Sequence, residues 1–249
     1  MLGSGSAGNA TIVKTDEMHI LVDAGLSARQ LLARAKQQGI EKFDAVLLTH
    51  EHSDHVKGLG VFLKSHPVPV YTTAQTAYIL RQSGIAADWK TFEAGQRFSL
   101  GSFEIQSFSI LHDAVDPVGY VLAHGTEKLG VLSDVGHVTH AVTAALRELS
   151  VLFVEANYDD ELLMADTKRP WSIKQRISSR HGHLSNRQVV SLLEEIAHPA
   201  LKKVILGHLS ADCNSEDVAT AMIRRALQSR SCGHVEIHCA AASEPRGWW

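Results

Sequence analysis

Thiol chemistry is nearly missing from this chain. Its three cysteines, Cys213, Cys232 and Cys239, include no C-x-x-C pair, so neither a disulfide framework nor a thiolate zinc site is indicated and buried, inert thiols are expected. Long apolar runs are missing too. No stretch approaches the eighteen residues that suggest a membrane helix, and no basic segment followed by an apolar one opens the sequence, so the reading is a cytoplasmic protein with no membrane partner. A strong charge of one sign is also lacking. Lys and Arg number 24 against 27 Asp and Glu, a net −3 with histidine neutral, which argues against a wholly basic nucleic-acid coat protein but not against a local basic patch. There is no low-complexity segment and no interdomain linker. With 249 residues, 45% of them hydrophobic, the chain can bury a substantial core, and one domain over 1–249 is expected.

Histidine, by contrast, is plentiful at 15 residues, and its placement decides the reading. The run His50-Glu51-His52-Ser53-Asp54-His55 puts four candidate metal ligands, His50, His52, Asp54 and His55, into a single turn's length of backbone. Residues 44–49 before it are short and apolar, and read as a buried strand that ends where the ligands begin. One ion is crowded in such a cluster and two are comfortable. Imidazole suits zinc, iron and manganese, and carboxylate mixed with imidazole, without thiolate, suits a hydrolytic ion rather than a structural one.

The rest of the chain alternates strand and helix. Gly3-Ser4-Gly5-Ser6-Ala7-Gly8 matches the letters of the dinucleotide fingerprint, but a strand follows it where a helix is required; a small-residue turn at the rim of a site is expected instead. So abrupt an opening on a loop leaves room for a short leading strand upstream. Strands are expected at 11–14 and 19–22, the second ending in Asp23, which serves either as a turn residue or as a partner orienting a metal-bound histidine. Ser27 caps a helix that stops at Gly39. A helix over 56–64, a strand over 68–71 and a helix over 73–82 follow. Residues 98–110 alternate as a hairpin turning at Gly101-Ser102 and lead to His112. Strands at 118–123 and 129–132 lead to Asp134, a helix passes through Ala141, Ala145 and Leu149, and a strand at 151–154 ends in Glu155-Ala156-Asn157-Tyr158. Ser185 caps a helix containing Val189, Leu192, Leu193 and Ile196, and a strand at 203–206 ends at His208. His50, His52, His112, Asp134 and His208 therefore all stand at strand ends, as two similar βα halves sharing one edge would place them.

Composition shifts between 168 and 187. This window holds Lys168, Arg169, Lys174, Arg176, Arg180 and Arg187 with Trp171, His181 and His183, and no acidic residue. It reads either as a phosphate-backbone contact, with Lys174, Arg176 and Arg180 as substrate-binding residues, or as a solvated helix face.

The motif His50-x-His52-x-Asp54-His55, with Asp23 before it and His112, Asp134 and His208 after it in that order, resembles the metallo-β-lactamase superfamily over nearly the whole chain. The loop from Gly3 to Asn9, His112-Asp113-Ala114-Val115-Asp116-Pro117, Glu155-Ala156-Asn157-Tyr158 and Gly182-His183-Leu184-Ser185-Asn186 are similar to the bacterial YycJ (WalJ) group. The last two also resemble loops of tRNase Z. The resemblance implies an α/β (α+β) fold, the four-layer αβ/βα sandwich. It implies that His50, His52 and His112 hold one ion, that Asp54, His55 and His208 hold the other, and that Asp134 bridges them. Two divalent ions are expected, zinc in first place with manganese or iron as alternatives. Asp54 is counted as catalytic as well, and His183 as the general acid. The function implied is that of a dinuclear hydrolase, a phosphodiesterase or exonuclease-type nuclease acting on DNA or RNA through a hydroxide shared by the two ions. A thioester or ester hydrolase of the glyoxalase II type is the alternative. A non-catalytic metal-binding protein is disfavoured by the complete set of seven ligands. No inserted cap domain or RNA-binding arm is evident, which disfavours a tRNA-processing enzyme.

Overall fold

The short apolar runs become interior strands of two sheets. The computed structural model describes residues 1–248, and the chain divides into two compact units, each with its own core.

The first unit comprises residues 1–96, 114–118 and those from 240 on. Its sheet runs in the order β1 (Thr11–Lys14), β2 (His19–Val22), β3 (Ala45–Leu47), β4 (Val70–Thr73), β5 (Trp89–Phe92). β1 is antiparallel to β2, and all later pairings are parallel. Every residue of β3 is buried, as a central parallel strand covered on both faces requires. Helix α1 (Ala28–Gln37) begins at Ser27, whose side chain accepts from the Gln30 amide, and turns Leu31 and Ala35 inward against Leu21, Val46 and Phe62. The segment from 240 on joins this unit through its backbone. The Met1 amine donates to the Arg246 carbonyl at 2.9 Å, the Arg246 amide donates back at 3.0 Å, and the Arg34 guanidinium donates to both the Leu2 and Ala242 carbonyls.

The ligand cluster departs from expectation. A helix was expected from Val56 to Lys64, but residues Ser53–Val56 already form a one-turn helix, α2, and a separate α3 (Leu59–Ser65) follows. Gly58 marks the break, where any Cβ would overlap the Leu26 carbonyl. α4 (Ala74–Gln82) is capped by Thr73 and starts one residue inside the expected range.

The second unit comprises residues 97–113 and 119–239. Its seven strands run in the order β12 (Glu236–Cys239), β11 (Lys203–Gly207), β10 (Val151–Glu155), β9 (Glu127–Leu132), β8 (Val118–His124), β7 (Phe103–Ser109), β6 (Arg97–Leu100). Strands β9 to β12 are parallel, and β8 and β6 pair antiparallel with β9 and β7. Leu100 faces Phe103 across a two-residue turn at Gly101, whose φ of +57° suits the tight hairpin read from the sequence. Five helices complete the unit: α5 (His140–Ala145), α6 (Asp160–Ala165), α7 (Trp171–Ile177), α8 (Asn186–Ile196) and α9 (Glu216–Ser229). Ser185 and Gln188 close a capping box on α8, fixing where that helix begins. Leu132, Val154 and Leu206 form the core with Leu192, Leu193 and Ile223.

Parallel strands leave their carboxyl ends side by side, and those ends are where ligands bind in α/β sheets. β2 and β3 end at Asp23 and Thr49-His50; β9, β10 and β11 end at Asp134, Glu155 and His208. Among the described residues, no helix is long and apolar enough to cross a membrane.

Gly25 fixes the cluster against β2, because its amide donates to the Asn9 carbonyl and its α-carbon lies so close to the Asp54 carbonyl that any Cβ would overlap it. We expect Gly25→Ala to lower unfolding stability by about 3 kcal/mol or more, the upper end of the overpacking range. Chemical denaturation checks this, and a loss under ~1 kcal/mol would show that the Asp54 segment yields easily.

Candidate metal centre

In the first unit the histidines are held from behind. Asp23 is buried at 4% exposure and collects donors. Its Oδ1 accepts from the Thr49 amide at 2.9 Å, and its Oδ2 accepts from His55 Nδ1 at 2.8 Å and from the Thr49 hydroxyl at 2.9 Å. An ionised carboxylate only accepts, so the His55 proton sits on Nδ1. Thr49 Oγ1 also lies 2.9 Å from His50 Nδ1. The His50 ring lies 4.6 Å from that of His52 and 4.1 Å from that of His55, centroid to centroid. His52 and Asp54 are half-buried, whereas His50 and His55 are fully buried. Asn9 closes the group on the other side. Its amide nitrogen lies 3.1 Å from His55 Nε2 and 3.4 Å from Asp54 Oδ2, and its backbone amide donates to the Asp54 carbonyl at 2.7 Å.

In the second unit a fully buried Glu155 has the corresponding task. Oε1 accepts from the Val135 and Leu184 amides at 2.7 and 3.0 Å, and Oε2 accepts from His183 Nδ1 at 3.0 Å and His208 Nδ1 at 3.3 Å. Asp134 Oδ1 lies 2.7 Å from His208 Nδ1 and 3.4 Å from His183 Nδ1. One ligand atom from each of Asp134, Glu155, His183 and His208 falls within 4.8 Å of the other three, a spacing that could hold an ion. His112 packs its ring 5.6 Å from that of His183 and places Nδ1 3.2 Å from the Gly182 carbonyl.

Charge in this group is strongly perturbed. Burial opposes a charged His183, but Glu155 and Asp134 outweigh it and push its pKa up to about 10. For His208, burial is again outweighed, by Asp134 and then Glu155, and the value rises to about 9. Burial dominates at His112 and pushes it down. Glu155 is held below the usual carboxylate range: burial works to raise it, and the neighbouring His183 charge wins.

The basic window needs correction at Lys174. Its side chain was expected to meet substrate, yet it is buried and its ammonium donates to the Met164 carbonyl at 2.8 Å, near the end of α6, where a cation complements the helix dipole. Acids outside the window neutralise most of the remaining cations. Lys168 and Arg169 pair with Asp212, Arg169 also with Asp166, Arg187 with Asp160, and Arg176 with Asp113 at 2.6 Å. Arg180 is exposed, and its backbone packs on Gly136. Sequence reading gave no role to Thr49 or Asn9 and left Glu155 out of the site, although Glu155 ends a buried strand.

Comparison with known proteins agrees with this architecture. The profile of the beta-lactamase superfamily domain matches residues 18–209. The chain is 35% identical over 246 residues to the exodeoxyribonuclease YycJ of Bacillus anthracis, covering 96% of this chain and 93% of that protein. It is 34% identical over 227 residues to the exodeoxyribonuclease WalJ of Streptococcus pneumoniae, covering 88% and 84%. Among solved structures, the metallo-beta-lactamase fold protein YhfI of Bacillus subtilis superposes with a TM-score of 0.71 at 17% identity, over 97% of this chain and 95% of that one. At that identity the likeness speaks to the fold alone.

The raised histidines make a pH prediction for protein stripped of divalent ions. A group whose folded pKa exceeds its unfolded value contributes stability in full below the unfolded value, about 6.5 for histidine, and loses it as pH climbs through the folded value. His183 and His208 should therefore make the chelated protein melt progressively lower as pH rises from 7 to 10. Glu155→Gln should reduce that slope, chiefly through His183, read by thermal melts at each pH; an unchanged slope would show that Glu155 does not hold the His183 charge.

Proposed function

The chain belongs to the metallo-β-lactamase superfamily, and on that premise we propose that it is a metal-dependent exodeoxyribonuclease, a hydrolase of phosphodiester bonds in DNA. The observation that carries this reading is homology to exodeoxyribonucleases over almost the full length, 35% identity across 96% of the chain. The donor set fits divalent ions. Imidazole and carboxylate crowd the strand ends of both units, and the three cysteines are buried outside these groups. Asp23 accepts from Nδ1 of His55, and Asp134 and Glu155 accept from Nδ1 of His208, which gives the ligand role to Nε2 of both. The seven residues His50, His52, Asp54, His55, His112, Asp134 and His208 would hold two ions in the division expected from the resemblance, with zinc preferred over manganese or iron.

When bound, such ions make water more acidic and take up negative charge developing on the phosphate. The chain's own residues supply the rest. His183 sits beside the Glu155 and Asp134 carboxylates, which favour its charged form, with a proton on each ring nitrogen. Nδ1–H is committed to Glu155, so the Nε2 proton is the one it can give. As the bond from phosphorus to the leaving sugar oxygen breaks and the hydroxyl of water adds to phosphorus, that proton passes to the departing oxygen, and the proton released by the water goes to solvent. Arg176 and Arg180 remain the phosphate contacts of the window; Lys174 does not.

The reading is tested first on substrates. Protein loaded with zinc or manganese should degrade labelled DNA oligonucleotides, lose that activity to a chelator, carry close to two ions per chain, and leave a glutathione thioester intact; the reverse preference would favour the glyoxalase-type alternative. His183→Ala should slow DNA cleavage by about 10²- to 10⁴-fold at unchanged ion content. It should cost far less on a p-nitrophenyl phosphodiester, whose phenolate leaves without protonation, and equal losses on both would remove the acid role. Replacing Arg176 and Arg180 together should flatten the log–log salt dependence of single-strand binding by about 1.4, roughly 0.7 for each phosphate contact. An unchanged slope would assign both residues to solvent.

A further inference from the structure

Thr49 sits at a junction whose hydrogen bonds admit one arrangement. Its hydroxyl oxygen lies 3.1 and 2.9 Å from the two oxygens of Asp23, 2.9 Å from His50 Nδ1 and 3.2 Å from His55 Nδ1. All four groups are buried, at 1% exposure for Thr49, 4% for Asp23 and 0% for both histidines. A hydroxyl has one hydrogen and two lone pairs, whereas an ionised carboxylate has nothing to donate. If Thr49 gave its hydrogen to His50, its lone pairs would face the carboxylate at hydrogen-bonding distance with nothing between them. The hydrogen therefore goes to Asp23, and His50 must be the donor to Thr49, from Nδ1–H.

We infer that Thr49 is a positioning residue: its hydroxyl relays the acceptor character of Asp23 to His50. One carboxylate thus sets two histidines, His55 directly at 2.8 Å and His50 through Thr49. Both keep the proton on Nδ1, which gives the ligand role to Nε2; at His55 that nitrogen also lies 3.1 Å from the Asn9 amide nitrogen. The backbone supports the relay independently of the hydroxyl, since the Thr49 amide donates to Asp23 Oδ1 at 2.9 Å and the Asp23 amide donates to the Leu47 carbonyl at 2.9 Å. Removing the hydroxyl therefore breaks the arm to His50 and takes one donor from Asp23, which keeps the Thr49 amide and His55. The inference rests on the proposal that His50 and His55 are metal ligands.

Thr49→Val keeps the side-chain shape and deletes the relay, and Thr49→Ser restores a hydroxyl. Two measurements are made on the full chain. The first is the ¹⁵N spectrum of the histidine rings in chelated protein. Wild type and Thr49→Ser should show His50 as the Nδ1–H form, Thr49→Val should lose that preference at His50 alone, and His55 should stay Nδ1–H in all three. The second is competition for zinc against a chelating dye. Thr49→Val should weaken one of the bound ions by about 10- to 100-fold, the usual effect of losing a group that orients a ligand, with Thr49→Ser close to wild type. A Thr49→Val protein with unchanged His50 tautomer and unchanged zinc affinity would overturn the relay. If the serine variant fails to recover what valine loses, the hydroxyl is not the cause and the relay falls as well. Wild-type protein that binds no zinc would overturn the metal reading instead, and the ring spectra would still decide the relay.

Discussion

A carboxylate taken out of water must be surrounded by donors, or its burial costs the fold more than the fold can supply. Asp23 and Glu155 meet that requirement by drawing on backbone amides and on the Nδ1 side of histidine together. The consequence is mutual. The acids need the rings as much as the rings need the acids, because withdrawing either partner leaves the other with an unmet demand in a dry interior. The imidazoles so fixed keep one ring nitrogen against a carboxylate and have little rotational freedom, and this is how a buried charge becomes a rigid set of side chains rather than a liability.

Backbone geometry serves the same end. Five described residues other than glycine adopt positive φ, and three of them, Asp23, Asp134 and His208, stand immediately or almost immediately beyond a parallel strand in the candidate site. Left-handed backbone is tolerated best by aspartate and histidine among residues that also carry a ligand atom, yet it still has a cost that the surrounding structure must offset. The benefit is directional. A strand continuing straight would carry these side chains away from its neighbours, whereas the left-handed turn stops the strand where its carboxylate or imidazole is used.

Much of this was legible in the sequence because ligand chemistry and strand chemistry leave distinct marks. The spacing of His50, His52, Asp54 and His55 after an apolar run, and carboxylates or histidines after each later run, already located the strand ends. What could not be read were relations between residues far apart along the chain. The window 168–187 looked cationic because its counter-charges, Asp113, Asp160, Asp166 and Asp212, lie outside it. Lys174 looked solvated because nothing local announces that its ammonium caps α6. Strand β5, with Lys90 and Thr91 exposed, has too little apolar pattern to declare itself, and the one-turn α2 lies within a stretch whose polar residues pointed to ligands rather than to a helix. Thr49 was hidden for a different reason: a single hydroxyl has no sequence signature, and its importance lies wholly in what surrounds it.

The segment from residue 240 onward, clasped to Met1, Ser4 and Arg34, has a bearing on how the protein is born. Chains emerge from the ribosome amino end first, and domains ordinarily fold in that order. Here the first unit lacks its closing piece while residues 97–239, almost all of the second unit, are still being made. At about 5–20 residues per second, the interval is on the order of 10 to 30 s. Throughout it the 240-side acceptor of Arg34 and the backbone partners of Met1 do not yet exist. The backbone bonds that tie Met1, Ser4 and Arg34 to this segment can therefore form only after the residues of the second unit have been made.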